Sequence, residues 1–120
     1  MGYFFDSSAI IEIIHRNVKY EKFFEQIIIT NSLHLGEVYY YFLREHNKQT
    51  ADFWMRKLTV ELIDVSEVIT TEASLFKFEH KKIPFSYVDC VGYISALKNG
   101  LIFITMDKDF NNFHSTEVVI

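Results

Sequence analysis

The sequence predicts an α/β fold in which a mostly parallel sheet of about five strands lies between two layers of helices. Short apolar runs recur along the chain, and stretches with helical periodicity separate them. The run 27–30 is continuous and β-branched, which is typical of a strand that is buried on both faces. Because strands that alternate with helices usually form parallel sheets, these observations favour a three-layer α/β/α architecture.

The first half of the chain predicts two strands and four helical segments. The run 2–6 predicts the first strand, and apolar residues at helical spacing predict a helix from Ser8 onward. A stretch of mixed charge, 17–26, predicts a second short helix. The β-branched strand follows, and Asn31 or Ser32 can cap the next helix. Two successive helices then carry apolar stripes: Leu35, Val38, Tyr39, Phe42 and Leu43 in the first, and Ala51, Trp54, Met55 and Leu58 in the second.

The second half predicts two helices and three strands. The first helix extends over 66–82 and stops before Pro84, since the residue before a proline disfavours helical geometry. Ser86 begins the second helix, and the pair Asn99 and Gly100 is a typical helix end. The predicted strands of this half are 60–65, 101–105 and 117–120.

Length and charge narrow the possible functions. With 120 residues the chain can bury a substantial core, so we expect residues 1–120 to form a single domain. The formal net charge of −4 argues against binding of nucleic acid through a large, uniformly basic face. A local acidic pocket surrounded by a few Lys and Arg residues is still compatible with that charge.

Cysteine content and hydropathy indicate the cellular compartment. The single cysteine, Cys90, excludes an internal disulfide and a multi-cysteine zinc site, and we expect it to be a small core residue. No apolar run approaches the ~20 residues that a membrane helix needs. The first residues lack a basic leader and include Asp6, which argues against a signal peptide. We therefore expect a cytoplasmic protein that does not enter a membrane.

Five acidic side chains are predicted at one edge of the sheet. Asp6 ends the first strand, and Asp107 and Asp109 follow the fourth. Glu37 lies in the first turns of the helix after the second strand, and Asp89 lies in the first turn of the last helix. In an open parallel sheet, ligands bind outside the carboxyl ends of the strands, where the following helices also begin. The sequence therefore predicts an acidic site at this edge.

Clustered carboxylates favour cations as ligands. Like charges that are packed together repel and raise one another's pKa, so a nearby cation would stabilise the cluster. Carboxylate oxygens without a Cys or His pattern suit Mg²⁺ or Mn²⁺. A further acid, Asp64 after the third strand, is a weaker candidate for the same site.

Each of these acids also has a purely structural interpretation. Asp6 can cap the first helix, because Asp is a preferred N-cap residue. Ser86 and Asp89 have the spacing of a capping box. Glu37 can be an exposed, solvated helical residue, and Asp109 can belong to a turn.

The order of the motifs resembles the PIN domain family, in particular the small toxins of bacterial and archaeal VapBC toxin–antitoxin pairs. "FFDSSAII" (4–11) resembles the opening strand of that family with its Asp and Ser/Thr residues. "LHLGEVYYYFLRE" (33–45) resembles the helix that bears its Glu. "IPFSYVDCVGYISALKNGLIFITMDKDF" (83–110) resembles its Asp-bearing helix and its Thr-x-Asp-x-Asp-Phe ending, and is the most specific part of the match.

The resemblance implies metal-dependent cleavage of RNA phosphodiester bonds. It also implies that Ser8 and Thr105 support the site by hydrogen bonding, whereas Met106 departs from the family, since relatives often carry a basic residue there. The acids that it assigns to metal binding are Asp6, Glu37, Asp89 and Asp107, with Asp109 as a fifth. The first four would be the catalytic residues.

The same resemblance implies a cognate antitoxin as a protein partner, and we also expect a homodimer. Aromatic residues are dense at 39–42 and 53–54, which suggests that some are buried between chains. Tyr40 and Tyr41 could instead stack on RNA bases, although packing is the simpler interpretation. The histidines share no spacing typical of metal ligands, and we assign no chemistry to His15, His34, His46, His80 and His114.

Three other functions are compatible with parts of the pattern. A non-catalytic α/β binding module would keep the acids as caps and turns. A stand-alone RNA-processing nuclease would use the acidic site without an antitoxin. A phosphotransfer enzyme of the haloacid dehalogenase type is disfavoured, because it needs a second Asp two residues after Asp6 and Ser8 stands there.

Overall fold

A computed structural model of the chain describes residues 2–120 and contains one five-stranded sheet. Its strands are β1 (Tyr3–Phe5), β2 (Ile28–Thr30), β3 (Val60–Leu62), β4 (Ile102–Thr105) and β5 (Thr116–Val118). They lie in the order β3-β2-β1-β4-β5, and every neighbouring pair is parallel. The α/β class and the five-stranded parallel sheet predicted from the sequence are therefore confirmed.

Five α-helices accompany the strands: α1 (Ser7–Ile14), α2 (Ser32–Glu45), α3 (Lys48–Lys57), α4 (Glu67–Glu79) and α5 (Tyr87–Lys98). Two 3₁₀ helices, Val18–Phe23 and Lys108–Phe110, are shorter. The short helix predicted within 17–26 is therefore a 3₁₀ helix. Over residues 2–120, no helix has both the length and the apolar character that spanning a membrane requires.

Several elements are shorter than the sequence predicted. The strand predicted at 60–65 spans only Val60–Leu62, because β3 lies at the edge of the sheet and has one partner strand. The last strand is displaced by one residue from its predicted start at Glu117, since pairing with β4 begins at Thr116. The helix predicted at 66–82 ends at Glu79, where the chain enters a turn.

The two faces of the sheet carry separate cores. Successive side chains of a strand point to opposite faces, so Phe4 and Phe5 of β1 enter different cores. Phe5 packs with buried residues of α1, α2 and α3, whereas Phe4 packs with those of α4 and α5. Phe103 and Ile104 of β4 repeat this division. The sheet therefore lies between two layers of helices, as the alternating pattern predicted.

The connection from β4 to β5 is short for a parallel crossover and carries two of the predicted site residues. Residues 106–115 contain the second 3₁₀ helix, whose Phe110 stacks on Phe85 with ring centroids 4.2 Å apart. Burial of this ring in the α4–α5 core anchors the segment. It therefore fixes the backbone that bears Asp107 and Asp109 at the carboxyl edge of the sheet.

Three helices begin at this same edge, and each has a polar side chain as its N-cap. Asp6 caps α1, Asn31 caps α2 and Ser86 caps α5. Helices α1 and α2 follow strands directly and so begin at this edge. Helix α5 precedes β4 and ends near the start of that strand, so its own N-terminus lies at the opposite, carboxyl edge. The predicted site is therefore surrounded by three helix N-termini, whose dipoles favour negative charge.

Candidate functional site

The parallel register places Asp6 next to Thr105. Phe5 of β1 pairs with Ile104 of β4, and the Asp6 amide donates to the carbonyl of Ile104 at 3.1 Å. The Asp6 side chain is almost completely buried, with 4% of its surface exposed. Two residues that are 99 positions apart in sequence are thereby adjacent at the centre of the edge.

Both oxygens of the Asp6 carboxylate accept hydrogen bonds. Oδ1 accepts from the Ser8 hydroxyl at 2.6 Å and from the Ala9 amide at 2.9 Å. Oδ2 accepts a short hydrogen bond from the Thr105 hydroxyl. The Ala9 bond is the helix cap that the structural interpretation of Asp6 predicted, but the two hydroxyl bonds exceed what a cap needs. Ser8 and Thr105 therefore orient the carboxylate.

The same two hydroxyls also hold the backbone that follows β4. The Ser8 hydroxyl accepts from the Met106 amide at 3.1 Å, and the Thr105 hydroxyl accepts from the Asp107 amide at 3.0 Å. Each hydroxyl thus bridges the Asp6 carboxylate and one amide of this segment. Asp107 is therefore linked to Asp6 through a single side chain.

Burial dominates the electrostatics of Asp6. It raises the pKa of the carboxyl group above its usual range, and the hydrogen bonds from Ser8, Thr105 and Ala9 offset only part of that effect. A buried carboxylate whose ionisation is disfavoured gains most from a nearby cation. Asp6 is the most buried acid of this edge, so its charge costs the fold more free energy than that of the exposed or partly exposed acids.

Glu37 approaches Asp6 through Ser7. The Glu37 carboxylate, 44% exposed, accepts from the Ser7 hydroxyl at 2.7 Å and lies 3.5 Å from Nδ1 of His34. Glu37 therefore contacts Ser7, the residue that directly follows Asp6.

Two of the remaining acids, Asp89 and Asp107, serve as local caps. Asp89 Oδ2 accepts from the Ser86 amide at 2.9 Å while the Ser86 hydroxyl accepts from the Asp89 amide at 3.0 Å, so the capping box is formed. Asp107 Oδ1 accepts from the Asp109 amide at 2.9 Å and caps the second 3₁₀ helix. Asp109 itself is exposed.

The carboxylates do not converge as a ready-made metal site. Among residues 2–120, no three side chains of His, Cys, Asp or Glu lie close enough together to hold one ion. Hydrogen bonds link Asp6 to Asp107 through Thr105, and Ser7 links Glu37 to the Asp6 backbone. The donor chemistry, carboxylate and hydroxyl oxygens, fits a hard divalent cation, whereas the separation of the acids shows no preformed cage.

His34 is a residue of this site that the sequence analysis missed. Its side chain is fully buried, and Nδ1 accepts from the Ser7 amide at 3.2 Å. The ring also meets Phe4 edge-on at 5.7 Å. A signal was present in the sequence, because His34, Val38 and Phe42 follow i, i+4, i+8 spacing and form the buried face of α2. A histidine on an apolar stripe needs a partner for its ring nitrogens.

A groove between α1 and α2 leads away from Glu37. It has a volume of about 480 Å³ and is lined by residues that include Ser7, Glu37, Tyr40 and Arg44. Tyr40 is 61% exposed, and the Arg44 guanidinium lies 5.7 Å from the centre of its ring. A separate cavity of about 660 Å³ lies beside β3 and the start of α4, and Asp64 is among the residues that line it.

Comparison with known proteins identifies the fold family. Residues 3–114 match the model of the PIN domain family. No curated protein matches the chain. A toxin–antitoxin complex from Klebsiella pneumoniae has a similar structure with a TM-score of 0.79, 17% identity, and coverage of 99% of this chain and 98% of that one.

Two further solved structures have the same fold. VapC20 of Mycobacterium tuberculosis, a toxin that cleaves the sarcin–ricin loop, matches with a TM-score of 0.76, 17% identity, and coverage of 92% of this chain and 93% of its own. VapBC2 from Rickettsia felis, bound to a DNA fragment from its promoter, matches with a TM-score of 0.75, 18% identity and 98% coverage of both chains. At these identities the similarity establishes the fold.

Proposed function

Because the chain belongs to the PIN domain family, we propose that it is a divalent-metal-dependent ribonuclease that cleaves RNA phosphodiester bonds. The observation that carries the proposal is the buried Asp6 carboxylate, which Ser8 and Thr105 hold at the carboxyl end of β1. Such a charge is unfavourable in a fold unless it serves a cation or a reaction. A purely structural cap would not need to be buried.

Carboxylates of the edge would hold Mg²⁺ or Mn²⁺, one or two ions. The residues are those that the resemblance assigns, Asp6, Glu37, Asp89 and Asp107, with Asp109 as a fifth. When bound, a divalent cation supplies Lewis-acid stabilisation of the scissile phosphate and lowers the pKa of a water molecule. No side chain of the chain then needs to act as the attacking group.

The residues around the acids orient them for this reaction. Ser8 and Thr105 hold Asp6 in one rotamer and tie it to the backbone of residues 106–107. Ser7 holds Glu37 at the start of α1. Pre-organised ligands lower the entropic cost of binding a cation and a phosphate in a reactive geometry. The hydrogen bonds from Ser7, Ser8 and Thr105 would therefore contribute to catalysis by orienting the acids before metal and RNA bind.

Cleavage of RNA by purified protein tests the proposal. We expect single-stranded RNA to be cut with Mg²⁺ or Mn²⁺, and cutting to stop with EDTA and to resume when the metal is restored in excess. Asp64→Asn, an exposed acid beside the separate cavity, is a matched control that should cleave like the wild type. Cleavage that persists unchanged in EDTA would exclude the metal mechanism.

A non-catalytic binding module is the second candidate function. It is favoured by the caps, since Asp6, Asp89 and Asp107 each accept a backbone hydrogen bond at the start of a helix. In that case Mn²⁺ would neither support RNA cleavage nor raise the melting temperature of the protein. Measurements of RNA cleavage and of the melting temperature, each with Mn²⁺, therefore distinguish the two functions.

We further propose that the nuclease is the toxin of a toxin–antitoxin pair, consisting of residues 1–120 as one cytoplasmic domain. The support is the fold, which solved toxins share. A neighbouring gene for a small DNA-binding antitoxin would support this role, and its absence would favour the stand-alone RNA-processing nuclease. Co-purification of the two gene products would test the antitoxin partner directly.

A homodimer is part of the same proposal, with support that differs from the sequence expectation. Of the aromatic residues at 39–42 and 53–54, only Tyr40 and Phe53 are exposed. Helix α4 also exposes three apolar side chains, those of Val68, Leu75 and Phe78. Light scattering should give a mass near twice 14.2 kDa, and a monomer at all concentrations would remove the dimer alone.

A further inference from the structure

We propose that His34 is a positioning residue of the metal site: its imidazole fixes Ser7 and thereby sets Asp6 and Glu37 relative to each other. The inference rests on the proposed function and concerns the same site. His34 lies in the first turn of α2, one turn before Glu37 on the same helix. It touches neither substrate nor reacting atoms and acts through the residues that it holds.

Hydrogen bonding defines the state of the imidazole. The ring is fully buried, and its Nδ1 accepts from the Ser7 amide at 3.2 Å. Since Nδ1 acts as an acceptor, the neutral ring carries its proton on Nε2. The backbone of His34 is fixed as well, because its amide donates to the Asn31 side chain that caps the helix, at 3.0 Å.

Ser7 transmits the position of the ring to both acids. Its amide belongs to the peptide that joins Asp6 to Ser7 and donates to His34, while its hydroxyl donates to Glu37 at 2.7 Å. A shift of the ring would therefore move the backbone beside one acid and the hydroxyl that orients the other. His34 thus attaches the start of α1 to α2, next to the acids, through its hydrogen bond with the Ser7 amide.

The opposite side of the ring lies against the backbone of α5 at Gly92. A methyl group added at Gly92 would lie 2.2 Å from Nε2, which no side chain contact permits. Nε2 of His34 is buried, and no atom of residues 2–120 forms a hydrogen bond with it. Both features disfavour the fold, because a glycine within a helix and an unpaired buried N–H each reduce stability.

A hydrophobic residue at position 34 would avoid the unpaired polar atom. An aliphatic side chain needs no partner, and it would complete the buried stripe with Val38 and Phe42. What it lacks is an acceptor for the Ser7 amide. A histidine at position 34 thus supplies what an aliphatic side chain cannot, an Nδ1 acceptor that reaches the peptide next to Asp6.

Two amide variants separate positioning from packing. The side-chain oxygen of Asn stands near the place of Nδ1, whereas the amide group of Gln stands near the place of Nε2. His34→Asn therefore keeps an acceptor for Ser7, and His34→Gln, although closer in volume to His, loses it. Loss of an outer hydrogen-bond partner typically weakens a metal site about 10-fold to 100-fold.

The first readout is the dissociation constant of Mn²⁺, measured from the electron paramagnetic resonance signal of the free ion. We expect His34→Gln to weaken Mn²⁺ binding by about 10-fold to 100-fold, and His34→Asn to stay within about threefold of the wild type. In RNA cleavage at saturating Mn²⁺, kcat should fall in the Gln variant while KM for RNA is unchanged. Packing alone predicts the reverse order, because Asn leaves the larger cavity.

Gly92→Ala provides a second test that leaves the imidazole in place. The added methyl group must displace the ring, so Mn²⁺ binding should weaken in the wild-type background but not further in the His34→Gln background. Gly36→Ala is the control for replacing a helical glycine, since its methyl group meets no atom within 4 Å. Unchanged Mn²⁺ affinity in Gly92→Ala, in a protein that folds, would contradict the positioning role.

The outcomes distinguish this inference from the proposed function. A wild type that binds Mn²⁺ and cleaves RNA, with equal Mn²⁺ affinities in the Asn and Gln variants, would overturn the role of His34 and leave the nuclease intact. A wild type that neither binds Mn²⁺ nor cleaves RNA would overturn the function, and the role of His34 with it.

Discussion

The carboxyl edge of the sheet holds its acids in two different ways. At the centre, Asp6 is buried, and Thr105, which is 99 residues away, donates to it. At the periphery, Asp89 and Asp107 are partly exposed and accept hydrogen bonds from amides two or three residues away. The central acid thus depends on tertiary contacts, whereas the peripheral acids depend on their own helices.

This difference separates acids that stabilise the fold as helix caps from an acid whose burial is unfavourable to the fold. A partly exposed cap costs little, because water solvates the charge and the helix dipole favours it. A buried carboxylate loses its hydration, and burial raises the pKa of Asp6 accordingly. The peripheral acids therefore have a sufficient structural explanation, while Asp6 has an unfavourable charge that a bound cation would offset.

The largest effect is expected for Asp6→Asn. Asn caps a helix about as well as Asp, so the variant should fold. It should lose the stabilisation that metal gives the wild type, which is ~2.7 kcal/mol when free metal is 100 times the dissociation constant. RNA cleavage should fall by about 100-fold or more if Asp6 binds the ion directly. Thermal melts with and without Mn²⁺, together with cleavage assays, measure both effects.

The same variant also has a pH signature in the absence of metal. Since burial raises the folded-state pKa of Asp6 above 3.8, its protonated form stabilises the fold fully below that value. This contribution is lost as the pH rises through the folded-state pKa. In EDTA, the wild type should therefore lose stability relative to Asp6→Asn as the pH rises above 3.8. If the stabilities of the two proteins change in parallel with pH, Asp6 acts only as a helix cap.

An intermediate effect is expected for Thr105→Val, which removes the hydroxyl and keeps the volume. The side chain is fully buried, and its loss leaves Asp6 Oδ2 and the Asp107 amide without this partner. We expect unfolding to become easier by about 1–3 kcal/mol in denaturant titrations. Thr105→Ser, which keeps the hydroxyl, is the control. If Ser lowers stability as much as Val, the methyl group rather than the hydroxyl matters.

The smallest effect is expected at Asp89, in the peripheral half of the edge. Asp89→Ala removes the carboxylate that accepts from the Ser86 amide and should lower stability by about 0.5–1 kcal/mol, whereas Asp89→Asn should keep the capping box. Chemical denaturation measures both. If Asp89→Asn also abolishes the stabilisation by Mn²⁺, Asp89 is a metal ligand as well as a cap, and the contrast with Asp6 is weaker than the hydrogen bonds suggest.

The parts of the molecule that the sequence predicted well are governed by local interactions. The capping box of Ser86 and Asp89 joins residues three apart, and the predicted cap of α1 by Asp6 is present. Gly100, predicted to end the last helix, adopts a left-handed conformation with φ of 65°. The strands were recognisable because a strand buried on both faces needs a continuous apolar run. Such features require only neighbours along the chain.

The sequence by itself therefore determined the fold class, the order of the elements and which acids end strands or begin helices. Only the tertiary structure decided that Asp6 is buried against Thr105 while the peripheral acids stay separate, because that depends on the register of β1 with β4. It also decided the role of His34, whose partners Ser7 and Gly92 are 27 and 58 residues away. Contacts between distant segments depend on how helices pack on the sheet, which no local pattern encodes.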